Sequence, residues 1–504
     1  MQNARSFVAT MCVLSFGCAV ADVFPNDDSS GELSSAVAWG SPDWFSTVSP
    51  YGNAAHDLEL NAEGQYSITG DVAFAQFINS IPKNNTAVID CTKGDLRPKV
   101  SLTGLRGNAT ANIHNTTLQL VGGDWDLGGG NVDYGTYYAS DRKIVLDNHA
   151  VVTNVGQLNL SKTSLVNNEV ILQDGSKMFV SGAVNLGAQR DGTLLRVLGG
   201  STFYHEGGSK MNFNTGAMKA NIGYWDGRNG IVASNANTRV SIAMGDKALF
   251  ILGNGPAGGL LHVTDHAFVE VGGESHVGNG SSSAVAGACG SNTLIRVENG
   301  GSLNTEVVYF PYGPTYGDIS GGNRFEVLSG GAYTNAGANS FYLRERGNAF
   351  VVSNGVAAVG NFRISGSDNE IVLQGVCPQI VCTAGNGHGF EMADGANALR
   401  FEVPSSGYDV DFIPLVSDKN IRFGVGVKLE ITGLDEVLAK MEEEGVRTKT
   451  MTLLKASNQL DGLEPIIAGI EETHALPDGC SLSVSGKSLI LTCKLKQGLI
   501  LLLR

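Results

Sequence analysis

The stretch GNRFEVLSGGAYTNAG, residues Gly322–Gly337, decides how this chain is read. GNAFVVSNGVAAVGN (Gly347–Asn361) and SDNEIVLQGV (Ser367–Val376) follow it closely. Each has an Asn, then a short run in which apolar residues alternate or cluster, then a turn carrying Gly. Related copies stand upstream: KIVLDNHAVV from Lys143, EVILQDGSKMFVSG from Glu169, LLRVLGGSTF from Leu194, TRVSIAMGDKALFILGNG from Thr238, LLHVTDHAFVEVGG from Leu260 and NTLIRVENGGSLN from Asn292. NALRFEV from Asn397 and NIRFGVGVKLEI from Asn420 follow downstream. The starts at Asn323, Asn348, Asn369, Asn397 and Asn420 lie 25, 21, 28 and 23 residues apart.

A period of this length marks a repeat architecture. Each copy has the β-branched and aromatic content and the two-residue alternation of a strand, bounded by turn formers. A single such strand cannot bury its apolar face. Stacked coils of about 20–30 residues can, because strands of successive coils pair edge to edge and their inward side chains pile into one core. Gly and Asn suit the corners, since both tolerate positive φ. The reading is an all-β parallel β-helix. A propeller blade needs about 40–50 residues, too many for this period. Strands spaced by about 8–12 residues also suit a sandwich, which stays open for part of the chain.

The ends differ from the middle. Residues 22–110 carry Trp39, Trp44 and the amphipathic run DVAFAQFINSI (Asp71–Ile81) and read as an N-terminal capping segment. Residues 111–420 hold the repeats. Residues 421–504 read as a small β-rich C-terminal cap with one helix at about 434–444, where Leu434, Val437, Leu438 and Met441 fall at helical spacing before Gly445.

The charge balance narrows the function. The formal net charge is −15 with only 34 Lys and Arg among 504 residues. Phosphate contacts need clustered cations, so nucleic acid is disfavoured, as are anionic lipid surfaces. With 42% hydrophobic residues the chain can build a sizeable core. Arg5, the apolar run Phe7–Val20 and the Ala19-Val20-Ala21 triplet read as a secretory signal (residues 1–21), cleaved between Ala21 and Asp22. No later stretch reaches the roughly 18–20 apolar residues of a membrane-spanning helix. The expected location is secreted, extracellular or at the cell surface. Export leaves Cys91, Cys289, Cys377, Cys382, Cys480 and Cys493. In an oxidising compartment Cys377–Cys382 could staple a loop and Cys480–Cys493 a hairpin.

NRFEVLSGGAYTNAG, NAFVVSNGVAAVGN and the early GGDWDLGGGN (Gly122–Asn131) resemble bacterial autotransporter-like, passenger-type β-helix surface proteins. TMTLLKAS followed by SLSVSGKSLILTCKL resembles the tail of such passengers. The resemblance implies a right-handed parallel β-helix, extracellular display and an adhesive or structural role. The translocating barrel typical of that family is not expected within this sequence, whose repeats give way to the cap at residues 421–504.

Asp124, Asp126 and Asp133 form the densest acidic cluster, and such oxygen ligands beside a Gly-rich bend could hold Ca²⁺. Trp125, Tyr134, Tyr137 and Tyr138 could stack on sugar rings. The competing reading has these Asp residues capping backbone N–H groups in a surface turn. His262 and His266 lie about 13 Å apart if both sit on one strand, too far to chelate one ion. Arg344, Glu345 and Arg346 form a small charge cluster that reads as a solvated edge. No nucleophile elbow, P-loop or H-E-x-x-H is present. The expectation is therefore a non-catalytic protein without a required cofactor that binds glycans or cell-surface polymers. The alternative is a carbohydrate-active β-helix enzyme, a polysaccharide lyase or glycoside hydrolase, with carboxylates converging from adjacent rungs.

Overall fold

The computed structural model describes residues 57–495 except 61–63, 69, 75, 80–85, 108–116, 135–141, 161–167, 187–192, 207–210, 215–228, 243–248, 255–257, 278–291, 311–320, 336–339, 384–388, 410 and 474. The signal segment, its cleavage site at Ala21-Asp22, Trp39, Trp44, Tyr137, Tyr138 and Cys289 lie outside the described residues. The chain divides into two compact units, Met1–Met211 and Asn212–Arg504.

In the first unit each coil contributes three short strands, and each strand pairs in parallel with its counterpart in the next coil. The first face runs Gly64–Ser67, Thr86–Asp90, Thr117–Val121, Lys143–Asp147, Glu169–Leu172 and Leu194–Val197. The second runs Val72–Ala73, Lys99–Ser101, Asp124–Asp126, Val151–Val155, Lys177–Val180 and Thr202–His205. The third runs Asp57–Leu60, Gln76–Asn79, Leu105–Gly107, Asn131–Tyr134, Gln157–Leu160 and Val184–Leu186. Among the described residues the ladders begin at Asp57, inside the segment expected to be a cap. DVAFAQFINSI supplies two of these rungs: its alternation is that of short strands on two faces.

The second unit repeats the plan. Its first face runs Asn229–Ala233, Gly259–Val263, Leu294–Val297, Arg324–Leu328, Ala349–Ser353, Glu370–Gln374, Ala398–Glu402 and Lys428–Thr432. The long strands Phe268–Val277 and Ser302–Phe310 each serve the second and third faces in turn. Below them the third face continues with Ser340–Leu343, Asn361–Ile364, Phe390–Met392, Ile421–Phe423 and Leu460–Asp461. Asn420 therefore precedes a third-face strand. The next first-face strand starts at Lys428, so the last spacing read from the sequence joined two different faces.

The core follows from strand alternation. Leu261, Ile295, Phe325, Phe350, Ile371 and Leu399 form one inward column, all buried. Opposite it Phe341, Phe362 and Phe390 stack at 5.0 and 5.7 Å between centroids. Burying one such side chain contributes about 1.5–3 kcal/mol.

The recurring Asn has a specific task. Asn323, Asn348, Asn369 and Asn397 are buried at one corner. The Oδ1 of each lower Asn accepts the backbone N–H of the Asn above, at 3.2, 3.1 and 3.1 Å. Their Nδ2 groups donate to carbonyls of Arg344 (2.9 Å), Glu345 (2.8 Å) and Gly366 (2.9 Å). The ladder satisfies backbone groups that a corner would otherwise bury unpaired.

The C-terminal end closes with antiparallel pairing, Thr448–Ala456 with Ser488–Lys494 and the latter with Cys480–Ser485. Helix α1, Leu434–Glu444, buries Leu434, Val437 and Met441 and ends at Gly445 in the left-handed region. A second helix, α2, Glu464–Glu472, corrects the expectation of a single one. Pro465 hides it in the sequence, because Pro breaks helix interiors yet is well placed in the first turn.

Candidate functional site on the third face

The three acidic candidates do not converge. Asp124 and Asp126 lie on one second-face strand, and Asp133 lies on the following third-face strand. Asp124 accepts a hydrogen bond from Arg97 Nε at 2.7 Å. Asp126 Oδ1 accepts from Gly128 N and Asn154 Nδ2 at 2.9 and 2.7 Å, and Asp133 Oδ1 from Asn159 Nδ2 at 2.7 Å. Among the described residues no three His, Cys, Asp or Glu side chains group closely enough to hold a metal ion. Trp125 points inward and is buried, its Nε1 donating to Gly122 O at 2.9 Å, so it offers no ring to a sugar.

The histidines are separated as well. His262 stands on the first face with Nε2 2.8 Å from Glu298 Oε1, while His266 sits in the next turn at φ 64.

The cysteines split into two cases. Cys377 is exposed and Cys382 fully buried, each a free thiol, because one ends a surface turn and the other points into the core. Cys480 and Cys493 are cross-strand partners with sulfurs 3.1 Å apart, also as thiols. Burial pushes the Cys493 thiol up to about 12, and contact with Cys480 adds to it.

A different constellation emerges from register. Outward positions of the third face align as Tyr309, Tyr342, Arg363, Glu391 and Arg422, one per rung. At roughly 4.8 Å per rung the column is about 19 Å long. The rings of Tyr309 and Tyr342 stack at 5.0 Å and 9°. Two residues beyond Tyr342, Arg344 leans onto the pair, its guanidinium carbon 4.5 and 4.8 Å from the two centroids. Arg363 lies 6.0 Å from the Tyr342 centroid and donates to Glu391 at 3.1 Å. Glu391 also faces Arg422 at 3.6 Å. Arg422 in turn lines a groove of about 660 Å³ with Lys428, Val425, Pro465 and Ile466 beneath α2.

The sequence drew attention to Arg344 only as one member of a charge cluster. The two tyrosines stand 33 residues apart, and only the rung register brings them together. Such a surface can present guanidinium and phenol donors to a ligand that lies along the rungs.

No protein-family model, no curated protein and no solved structure matches the chain.

Proposed function

We propose that this chain is a secreted or surface-displayed β-helix protein whose third face binds an extended glycan without turning it over. The observation that carries this reading is the register-locked column Tyr309, Tyr342, Arg363, Glu391 and Arg422, with Arg344 packed on its two tyrosine rings. Aromatic and Arg side chains are the residue types that dominate recognition surfaces, and here the sheet fixes their positions before any ligand arrives. The one carboxylate of the column, Glu391, is engaged by two arginines and serves as their anchor.

A glycan array probed with the full chain tests the reading. Retention on one or more polysaccharides, lost in Tyr342→Ala, supports it. Binding unchanged by Tyr342→Ala moves the site off this face. Release of unsaturated or reducing-end products from a bound polysaccharide favours a carbohydrate-active enzyme instead.

A further inference from the structure

We infer that Arg344 forms an anion subsite, and that the glycan of the third face is acidic, carrying ring carboxylate or sulfate groups. This rests on the lateral-face reading above and adds the ligand's charge. The cations on this face differ in what they touch. Arg363 and Arg422 both lean on Glu391. Arg344 is half-buried, and its described contacts are with the two tyrosine rings.

Its position is set twice over. The Arg344 backbone N–H donates to Phe310 O at 2.8 Å, the rung above, and its carbonyl accepts Asn348 Nδ2 at 2.9 Å from the buried Asn ladder. The rings then restrict the side chain. A guanidinium on aromatic faces keeps its in-plane N–H groups available, and those match a carboxylate or sulfate in a two-point hydrogen bond. A long flexible cation normally loses considerable rotamer freedom when it binds; here the fold has already removed much of it. Beyond Arg363, Glu391 lies two rungs below Tyr342 and interrupts the cations of the column, which favours anionic groups spaced along the ligand over a continuous anionic strip.

The test is calorimetric titration of the full chain with an oligogalacturonate, a sulfated dextran, an uncharged dextran and poly-glutamate. The expected result is binding of a carboxylated or sulfated glycan that weakens with added salt, with Arg344→Ala losing about tenfold in affinity, equivalent to about 1.4 kcal/mol. Whether the carboxylate or the sulfate arm binds identifies the anion. Arg344→Lys keeps the charge but not the planar fork and is expected to recover only part of the loss. Both variants leave the two backbone hydrogen bonds of Arg344 in place, and an unchanged melting temperature confirms that they fold. If uncharged dextran binds as tightly and Arg344→Ala changes nothing, the acidic-ligand inference fails while the lateral face still stands. If no glycan binds, both fail. Tighter binding of poly-glutamate than of any glycan overturns the ligand class.

Discussion

The imidazole of His266 occupies the space that a β-carbon on Gly300, one coil later, would need. The same relation joins His149 to Gly175 in the first unit. In each case the histidine stands in a turn with positive φ, 60 for His149 and 64 for His266, and the glycine below it follows suit, 70 for Gly175 and 74 for Gly300. Stacked turns of this kind let the chain change face at the same place in successive coils.

Gly300→Ala therefore meets two penalties, a left-handed backbone and the overlap with His266. It is expected to destabilise the fold by about 1–3 kcal/mol, read as a lowered midpoint in chemical denaturation. Gly486→Ala is the control. Gly486 has φ 59 with open space where a β-carbon would stand, so only the backbone cost of about 1–2 kcal/mol applies. Adding His266→Gly to Gly300→Ala should recover the steric part. A Gly300→Ala variant as stable as the natural chain contradicts the stacked-turn geometry.

The Asn348 side chain is bonded both to the coil above and within its own. Its Oδ1 accepts from Asn323 N and Nδ2 at 3.2 and 2.9 Å, and its Nδ2 donates to Arg344 O. Asn348→Ala leaves buried backbone groups unpaired and should cost about 2–4 kcal/mol by denaturation. Asn348→Asp should not rescue it, because a carboxylate lacks the donor that Arg344 O requires. A loss below about 0.5 kcal/mol would show that the corner Asn is incidental.

The pH dependence has a local source at Glu169. Burial alone would raise its carboxyl, but the hydrogen bonds and charges of Arg196 and Lys143, at 2.7 and 3.1 Å, outweigh burial and hold it below the usual carboxylate range. A depressed folded-state value means that this stabilisation is present above the unfolded carboxyl range and is lost as pH falls through the folded value. Because both partners are partly exposed, Glu169→Gln should cost no more than about 1 kcal/mol at neutral pH. The difference between variant and natural chain should vanish in acid. A gap that persists undiminished at acidic pH would assign the loss to packing.

Thiol chemistry separates the cysteines. Cys377 is exposed and should react with a thiol reagent before the other described cysteines, whereas Cys91, pushed up to about 12 by burial and the neighbouring Asp90, should react only on unfolding. Oxidised glutathione during refolding is expected to join Cys480 to Cys493, with loss of two hydrogens and formation of two reduced glutathione molecules, read by mass spectrometry of the linked peptides. Linkage of Cys377 to Cys382 in its place would contradict the inward direction of Cys382.

Most of the solenoid was legible because strand alternation and corner chemistry are local. The runs from Lys143, Glu169, Arg324, Ala349 and Glu370 are rungs, and an Asn stands directly before four of them, three of these in the ladder of the second unit. Helix α1 was legible from Leu434, Val437 and Met441, whereas α2 was masked by Pro465 and Gly469. Asp71–Ile81 misled because amphipathic spacing over so short a run fits strands as well as a cap. The candidate site was not legible. Tyr309, Tyr342 and Arg344 share no local pattern, and their association depends on coil lengths that vary from rung to rung. Asp124, Asp126 and Asp133 looked like a site through closeness in sequence, but a corner separates Asp133 from the other two.

The binding face depends above all on register, on Tyr309 lying directly over Tyr342. Paired cysteines test this most directly, in a chain whose exposed Cys377 is replaced by Ser. Tyr309→Cys with Tyr342→Cys places two outward sulfhydryls on adjacent rungs, within the roughly 4.4–6.8 Å between α-carbons that a disulfide requires. Tyr309→Cys with Phe341→Cys places one outward and one in the core. The account predicts efficient oxidation of the first pair and none of the second. The reverse outcome, or equal linkage in both, would contradict the stacked rungs and the binding face built on them.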